Sequence, residues 1–144
     1  MTPTSADRIT NSFAQQSLMQ TFGAAITRIE PGLCEIAAPI LPLARQQHGM
    51  GHAGLTFALG DTAAGYAALT LMAPGAEVMT AEMKINLLAP AAGGRLIARG
   101  RVVKAGRRLS VVTAEVEAEA PDGARKLIAV LQGTMVPVDP GPLA

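Results

Sequence analysis

The stretch Ala53-Gly54-Leu55-Thr56-Phe57-Ala58-Leu59-Gly60-Asp61-Thr62-Ala63-Ala64-Gly65-Tyr66-Ala67-Ala68-Leu69-Thr70-Leu71-Met72 decides the fold. It reads as one helix, stopped by Ala73-Pro74-Gly75, and it is apolar nearly all round. A membrane span is the poorer reading, because an ionised Asp61 near the middle of a lone span costs several kcal/mol. A soluble domain that wraps the helix on several sides explains it better. The chain beyond the helix supplies the wrapping. Glu77 to Leu88, Arg95 to Lys104, Leu109 to Ala120 and Ala124 to Val138 read as strands, separated by turns at Ala89-Pro90, Gly93-Gly94, Ala105-Gly106 and Pro121-Asp122-Gly123. In the third of these strands Val112, Ala114, Val116, Ala118 and Ala120 alternate with Thr113, Glu115, Glu117 and Glu119. Tight turns imply a largely antiparallel sheet. The expectation is an α+β fold with a curved antiparallel sheet around one long central helix.

Before the helix, Arg8 to Gln20 reads as a short amphipathic helix, and Phe22 to Ile29 and Leu33 to Ile40 as a hairpin about Glu30-Pro31-Gly32. Leu41 to Gly51 has no period and reads as loop. The tail from Asp139 onward reads as frayed. The 144 residues suit one domain, 1–144, with peripheral ends at 1–20 and 139–144. Hydrophobic residues make up 49%, which excludes disorder.

Charge and composition exclude further classes. Net charge is +1, from 12 Lys+Arg against 11 Asp+Glu, so binding of duplex DNA by bulk charge is not expected. With no Trp, one Tyr and three Phe, a base-stacking surface is not expected either. Cys34 is the single cysteine, which excludes an intramolecular disulfide and a cysteine-rich zinc site. It reads as a buried, inert thiol. Met1 to Arg8 lacks the pattern of a signal peptide, and the expected compartment is the cytoplasm.

The chemistry centres on the helix. From Ala53 to Ala76 the only Asp, Glu, Lys, Arg or His is Asp61. Apolar surroundings raise a carboxyl's pKa, and Thr62 offers only partial help. That pattern suits a general base or nucleophile in a cleft. At the helix start, Gly49, Gly51 and Gly54 surround His52 and let backbone approach a ligand. Free N–H groups there favour a developing oxyanion. Asp61 lies roughly 10–12 Å further along the axis. One reacting carbonyl cannot touch both, so either the two features are unrelated or a site joins two subunits. His48 and His52 have helical ligand spacing but no third partner, and no metal is expected. Between Arg95 and Arg108 there are six basic residues and no acid. Of these, Arg99, Arg101, Lys104, Arg107 and Arg108 are candidates for a phosphate-rich ligand, and coenzyme A would fit.

Gln46-Gln47-His48-Gly49-Met50-Gly51-His52-Ala53-Gly54, with Leu59-Gly60-Asp61-Thr62-Ala63-Ala64-Gly65-Tyr66-Ala67-Ala68, resembles the hotdog-fold thioesterases of the phenylacetic-acid-degradation (PaaI-like) type. Met83-Lys84-Ile85-Asn86-Leu87-Leu88-Ala89-Pro90 and Arg99-Gly100-Arg101-Val102-Val103-Lys104-Ala105-Gly106-Arg107 are similar to the same family. The likeness spans about residues 20–138. It implies an acyl-CoA thioesterase with no cofactor beyond the coenzyme A of its substrate. It implies Asp61 as nucleophile or base, and the Ala53 N–H as donor to the thioester carbonyl. His52 matches the motif histidine, Gln46 falls near the attacking group, and Thr80 falls near a residue that orients water. Gly54, Thr62 and the basic residues would then contact substrate. It further implies sites shared across a homodimer, often paired into a homotetramer. Ala53 departs from the family's usual Gly, and Gly60 from its frequent Ala. The alternatives are a hotdog dehydratase or hydratase, which uses His with an acid, and an acyl-CoA-binding domain without catalysis.

Overall fold

The structure, a computed structural model, describes residues 4–139. Two short helices come first, α1 (Ser5–Phe13) and α2 (Ser17–Thr21). The hairpin β1 (Ala25–Glu30) and β2 (Leu33–Pro39) follows. The long helix α3 (Ala53–Leu69) leads into β3 (Glu77–Leu87), β4 (Arg95–Ala105), β5 (Ser110–Glu119) and β6 (Arg125–Val138). The strands form one antiparallel sheet in the order β1-β2-β4-β5-β6-β3. α3 carries the chain from β2 across the sheet to β3 at the far edge, and hairpins fill the gap. The segments 1–3 and 140–144, including most of the expected frayed tail, lie outside the described residues.

Small side chains let the helix settle onto the sheet. Ala63, Ala64, Ala67 and Ala68 are buried, and the α3 backbone meets β4 at Gly100. A Cβ at Gly100 would run into the carbonyl of Ala63 and the nitrogen of Ala64. Around this contact the even residues Val112, Ala114 and Val116 of β5, with Leu96 and Ala98 of β4, close the core. Leu55, Leu59 and Leu69 fill it from the helix side. Each such leucine contributes about 1.5–3 kcal/mol by leaving water. One stripe of α3 stays partly open: Gly54, Phe57, Ala58, Asp61 and Thr62 recur at helical spacing and are half-buried or exposed.

The N-terminal segment serves the far end of α3. The Arg8 guanidinium donates to the carbonyls of Leu69 (2.6 Å), Ala73 (2.8 Å) and Met72 (3.2 Å). Carbonyls at a helix C-terminus lack the usual intrahelical partner; here Leu69 O and Ala73 O each also accept a turn N–H, from Met72 and Ala76, and Arg8 adds to them. The single helix expected over Arg8 to Gln20 is in fact two. Phe13 and Met19 would stand about 120° apart on one continuous helix. The break at Ala14–Gln16 turns both inward, leaving Met19 fully buried. The first strand begins at Ala25 rather than Phe22, because Phe22 to Ala24 close α2. Gly23 takes φ 67°, and the Ala24 N–H donates to Met19 O at 2.9 Å. No helix among the described residues is long and apolar enough to cross a membrane.

Candidate functional site

Asp61 sits on the open stripe of α3, half-buried. Thr80 of β3 donates from Oγ1 to Asp61 Oδ1 at 2.8 Å. The strand is built for this. The β3–β6 register shifts between Thr80 and Glu82, so Ala81 is an extra residue. Before it Val78 and Thr80 face the helix; after it Met83 and Ile85 do. Burial pushes the Asp61 carboxyl above its ordinary pKa, and the Thr80 hydrogen bond opposes that rise only in part. A cleft of about 160 Å³ opens beside it, lined by Gln16, Asp61, Thr62, Tyr66, Thr80 and Met135.

The start of α3 forms a second centre. His52 is the N-cap, and its Nδ1 accepts the Gly54 N–H at 2.7 Å. The Leu55 and Thr56 N–H groups turn to the His52 carbonyl. Ala53 is exposed, and its N–H makes no hydrogen bond among the described residues. Gln46 folds its amide back into the loop, where Oε1 accepts from the His48 and Met50 N–H groups. Arg45 braces the same loop through the carbonyls of Ile40 and Gly49. Gln46, His52, Ala53 and Thr56 line one wall of a cleft of about 640 Å³, facing Leu88 and Pro90 beyond β3.

The candidate residues therefore sort into two groups within one chain. Asp61, Thr62 and Thr80 lie together; Gln46, His52, Ala53 and Gly54 lie together. The groups occupy separate clefts, roughly 12 Å apart along α3. The long β3 strand joins them, with Thr80 near one end and Leu87 at the other.

The basic patch divides. Arg99 is ion-paired to Glu35 at 2.9 Å and to Glu117 at 3.6 Å, on the sheet face away from the helix. Arg95 is likewise held by Glu119 at 2.7 Å. Strand register brings acids from β2 and β5 alongside Arg99, a candidate for phosphate contact, and residue order does not reveal that pairing. Arg101, Lys104, Arg107 and Arg108 are exposed around the β4–β5 turn and form no ion pair among the described residues. That turn lies at the Asp61 end of the molecule, since Ser110 pairs with Met135 and Met135 with Thr80.

Leu55 and Leu59 are fully buried in the core. Among the described residues no group of His, Cys, Asp or Glu is arranged to hold a metal ion. Cys34 is buried, and burial pushes its thiol up to about 12. The sequence reading missed Gln16 and Tyr66 at the Asp61 cleft. The signal available was slight: Tyr66 is the single tyrosine, placed four and five residues beyond Thr62 and Asp61.

A curved antiparallel sheet closed around one long helix defines the hotdog fold. The family model of the thioesterase superfamily matches residues 48–124. A thioesterase family protein from Silicibacter pomeroyi is 41% identical, with TM-score 0.91 over 94% of this chain and 98% of that one. A conserved protein from Pseudomonas aeruginosa is 31% identical, with TM-score 0.77 over 85% and 94%. A mutant of the phenylacetic acid degradation protein PaaI from Thermus thermophilus is 26% identical, with TM-score 0.73 over 84% and 98%. The chain belongs to the thioesterase superfamily, and its fold is the hotdog fold.

Proposed function

We propose that the substrate is an aryl- or medium-chain acyl-CoA, hydrolysed to the free acid and coenzyme A in a site that two copies of the chain complete together. The observation that carries the reading is Asp61: a half-buried carboxylate with a raised pKa, held by Thr80 at the mouth of a cleft. The Ala53 N–H of the second copy polarises the thioester carbonyl. Asp61 removes a proton from water as the water oxygen attacks the carbonyl carbon. The C–S bond then breaks, and the proton returns to the leaving thiolate. The covalent variant forms an acyl-Asp61 anhydride first, with loss of the thiolate, and water then releases the acid. Arg101, Lys104, Arg107 and Arg108 supply charge for the coenzyme's phosphates.

The edge strand supports the shared site. The outer edge of β3 pairs with no strand among the described residues, and Met79 and Leu87 on it and Leu88 just beyond it are about half exposed. Two β3 strands pairing antiparallel about a two-fold axis near Lys84 would bring Thr80 of one copy beside Leu88 of the other. Each Asp61 cleft then meets the other copy's helix start. His52 spends Nδ1 on its own helix, which favours hydrolysis over the histidine-based dehydratase reading.

The test is thiol release from phenylacetyl-, benzoyl-, short and medium alkyl-CoA by wild type and Asp61→Asn. The expected loss is about 10²–10⁴-fold in kcat. Equal rates in both proteins would overturn the assignment of Asp61, and no turnover on any of these thioesters would overturn the substrate class. Buried Cys34 adds little background in the folded protein.

A further inference from the structure

Tyr66 is buried where the core meets the N-terminal helices: it is 3% exposed, and its ring packs on Phe13 with centroids 6.3 Å apart. Its hydroxyl accepts from Gln16 Nε2 at 2.6 Å and shares a second hydrogen bond with Ser12 Oγ at 3.0 Å. Gln16 is the N-cap residue of α2, but its side chain makes no cap bond; it is committed to Tyr66 instead.

Gln16 and Tyr66 line the Asp61 cleft of about 160 Å³. A groove of about 450 Å³ between α1 and the chain leaving α3 is lined by Arg8, Ser12, Gln15, Met72 and Glu77. One hydrogen-bonded set borders both spaces: Ser12 lines the groove and bonds to Tyr66, and Gln16 and Tyr66 line the cleft.

We infer that Ser12, Gln16 and Tyr66 form a partition that sets the length of the acyl group, and that Gln16 is its removable part. The inference rests on the proposed role of Asp61 and deepens it. A cavity of about 150 Å³ holds one benzene ring, so the closed cleft fits a single ring or a chain of about six carbons. A longer chain meets the Gln16 amide and the Tyr66 phenol, whose polar atoms are already paired with each other. With Gln16 shortened, the chain passes into the α1 groove. Gln16 is a specificity residue in this reading; it touches the end of the acyl group, not the reacting carbonyl.

The experiment measures kcat/KM on butanoyl- through tetradecanoyl-CoA and on phenylacetyl-CoA for wild type, Gln16→Ala, Gln16→Met and Asp61→Asn. Gln16→Ala is expected to raise the ratio of dodecanoyl to hexanoyl turnover about tenfold, the scale at which a hydrophobic pocket discriminates by size. The gain is expected mostly in KM. Gln16→Met keeps the bulk without the hydrogen bond and is expected to keep the wild-type ratio. An unchanged ratio in Gln16→Ala, with Asp61→Asn inactive, would overturn the partition and leave the proposed function standing. Equal activity of Asp61→Asn and wild type would overturn both. A wild-type preference for tetradecanoyl-CoA would overturn the partition alone.

Discussion

Ala53 and Thr80 show how much depends on single groups. Ala53 is the first helical residue after the His52 cap, a position where proline is well tolerated because its missing N–H breaks no helix bond. His52, at φ −65° and ψ 145°, already has the extended backbone that a following proline requires. Ala53→Pro is therefore expected to keep the fold and delete only that N–H donor. A loss of about 10²–10³-fold in kcat, with the circular dichroism spectrum unchanged, is the expected result. Thr80 tests the carboxylate. Its hydrogen bond stabilises ionised Asp61 and lowers its pKa, so Thr80→Val removes the opposing influence and raises that pKa further. Since the ionised form acts, the acid limb of the pH–kcat/KM profile is expected to move to higher pH. A limb that stays in place would separate Thr80 from the titration. Asp61 was legible in the sequence because a lone charge in an apolar helix is conspicuous. The contact between Thr80 and Asp61 was not legible from pattern alone. The bulge at Ala81 sets which way Thr80 points, and β3 shows no break there in its residue types. Thr80 entered through the family resemblance.

The central helix and the strands around it were readable because their signals are strong: a long apolar run with a Pro-Gly stop, then alternation between glycine-rich turns. Their ends were less so. Arg8 takes carbonyls at the C-terminus of α3 from more than 60 residues away, and Gly23 caps α2 where strand was expected. Both are tertiary or capping effects that outweigh local preference. Gly100 is the clearest single dependency between elements. Its absent side chain is what permits α3 to lie against β4. Gly100→Ala forces backbone against backbone and is expected to destabilise by about 1–3 kcal/mol, read as a lower urea midpoint at unchanged m-value. Gly60 differs in kind. A Cβ there crowds the Leu131 methyls at 2.9 Å, the flexible end of a side chain, and meets Val116 Cγ2 in ordinary contact at 3.4 Å. An alanine at that position therefore requires that Leu131 turn.

At the scale of the whole molecule, the two groups of candidate residues stand at opposite ends of β3. The distance along α3, read from residue count, already indicated that one carbonyl cannot reach both. The surface that would bring them together was not readable, because only the sheet order shows which strand is left at the edge. The shared site has a direct test. Asp61→Asn damages one half and Ala53→Pro the other. Mixed in equal amounts through unfolding and refolding, the two inactive proteins are expected to recover about a quarter of wild-type activity, since half the dimers are mixed and each of these has one intact site. No recovery would mean that each chain carries its own complete site. On the proposed shared site, the open edge of β3 would also tie output to supply. Separated copies would turn nothing over, and where copies assemble only in part, total turnover would grow as the square of the amount of protein, so a modest rise in synthesis would switch the activity on sharply.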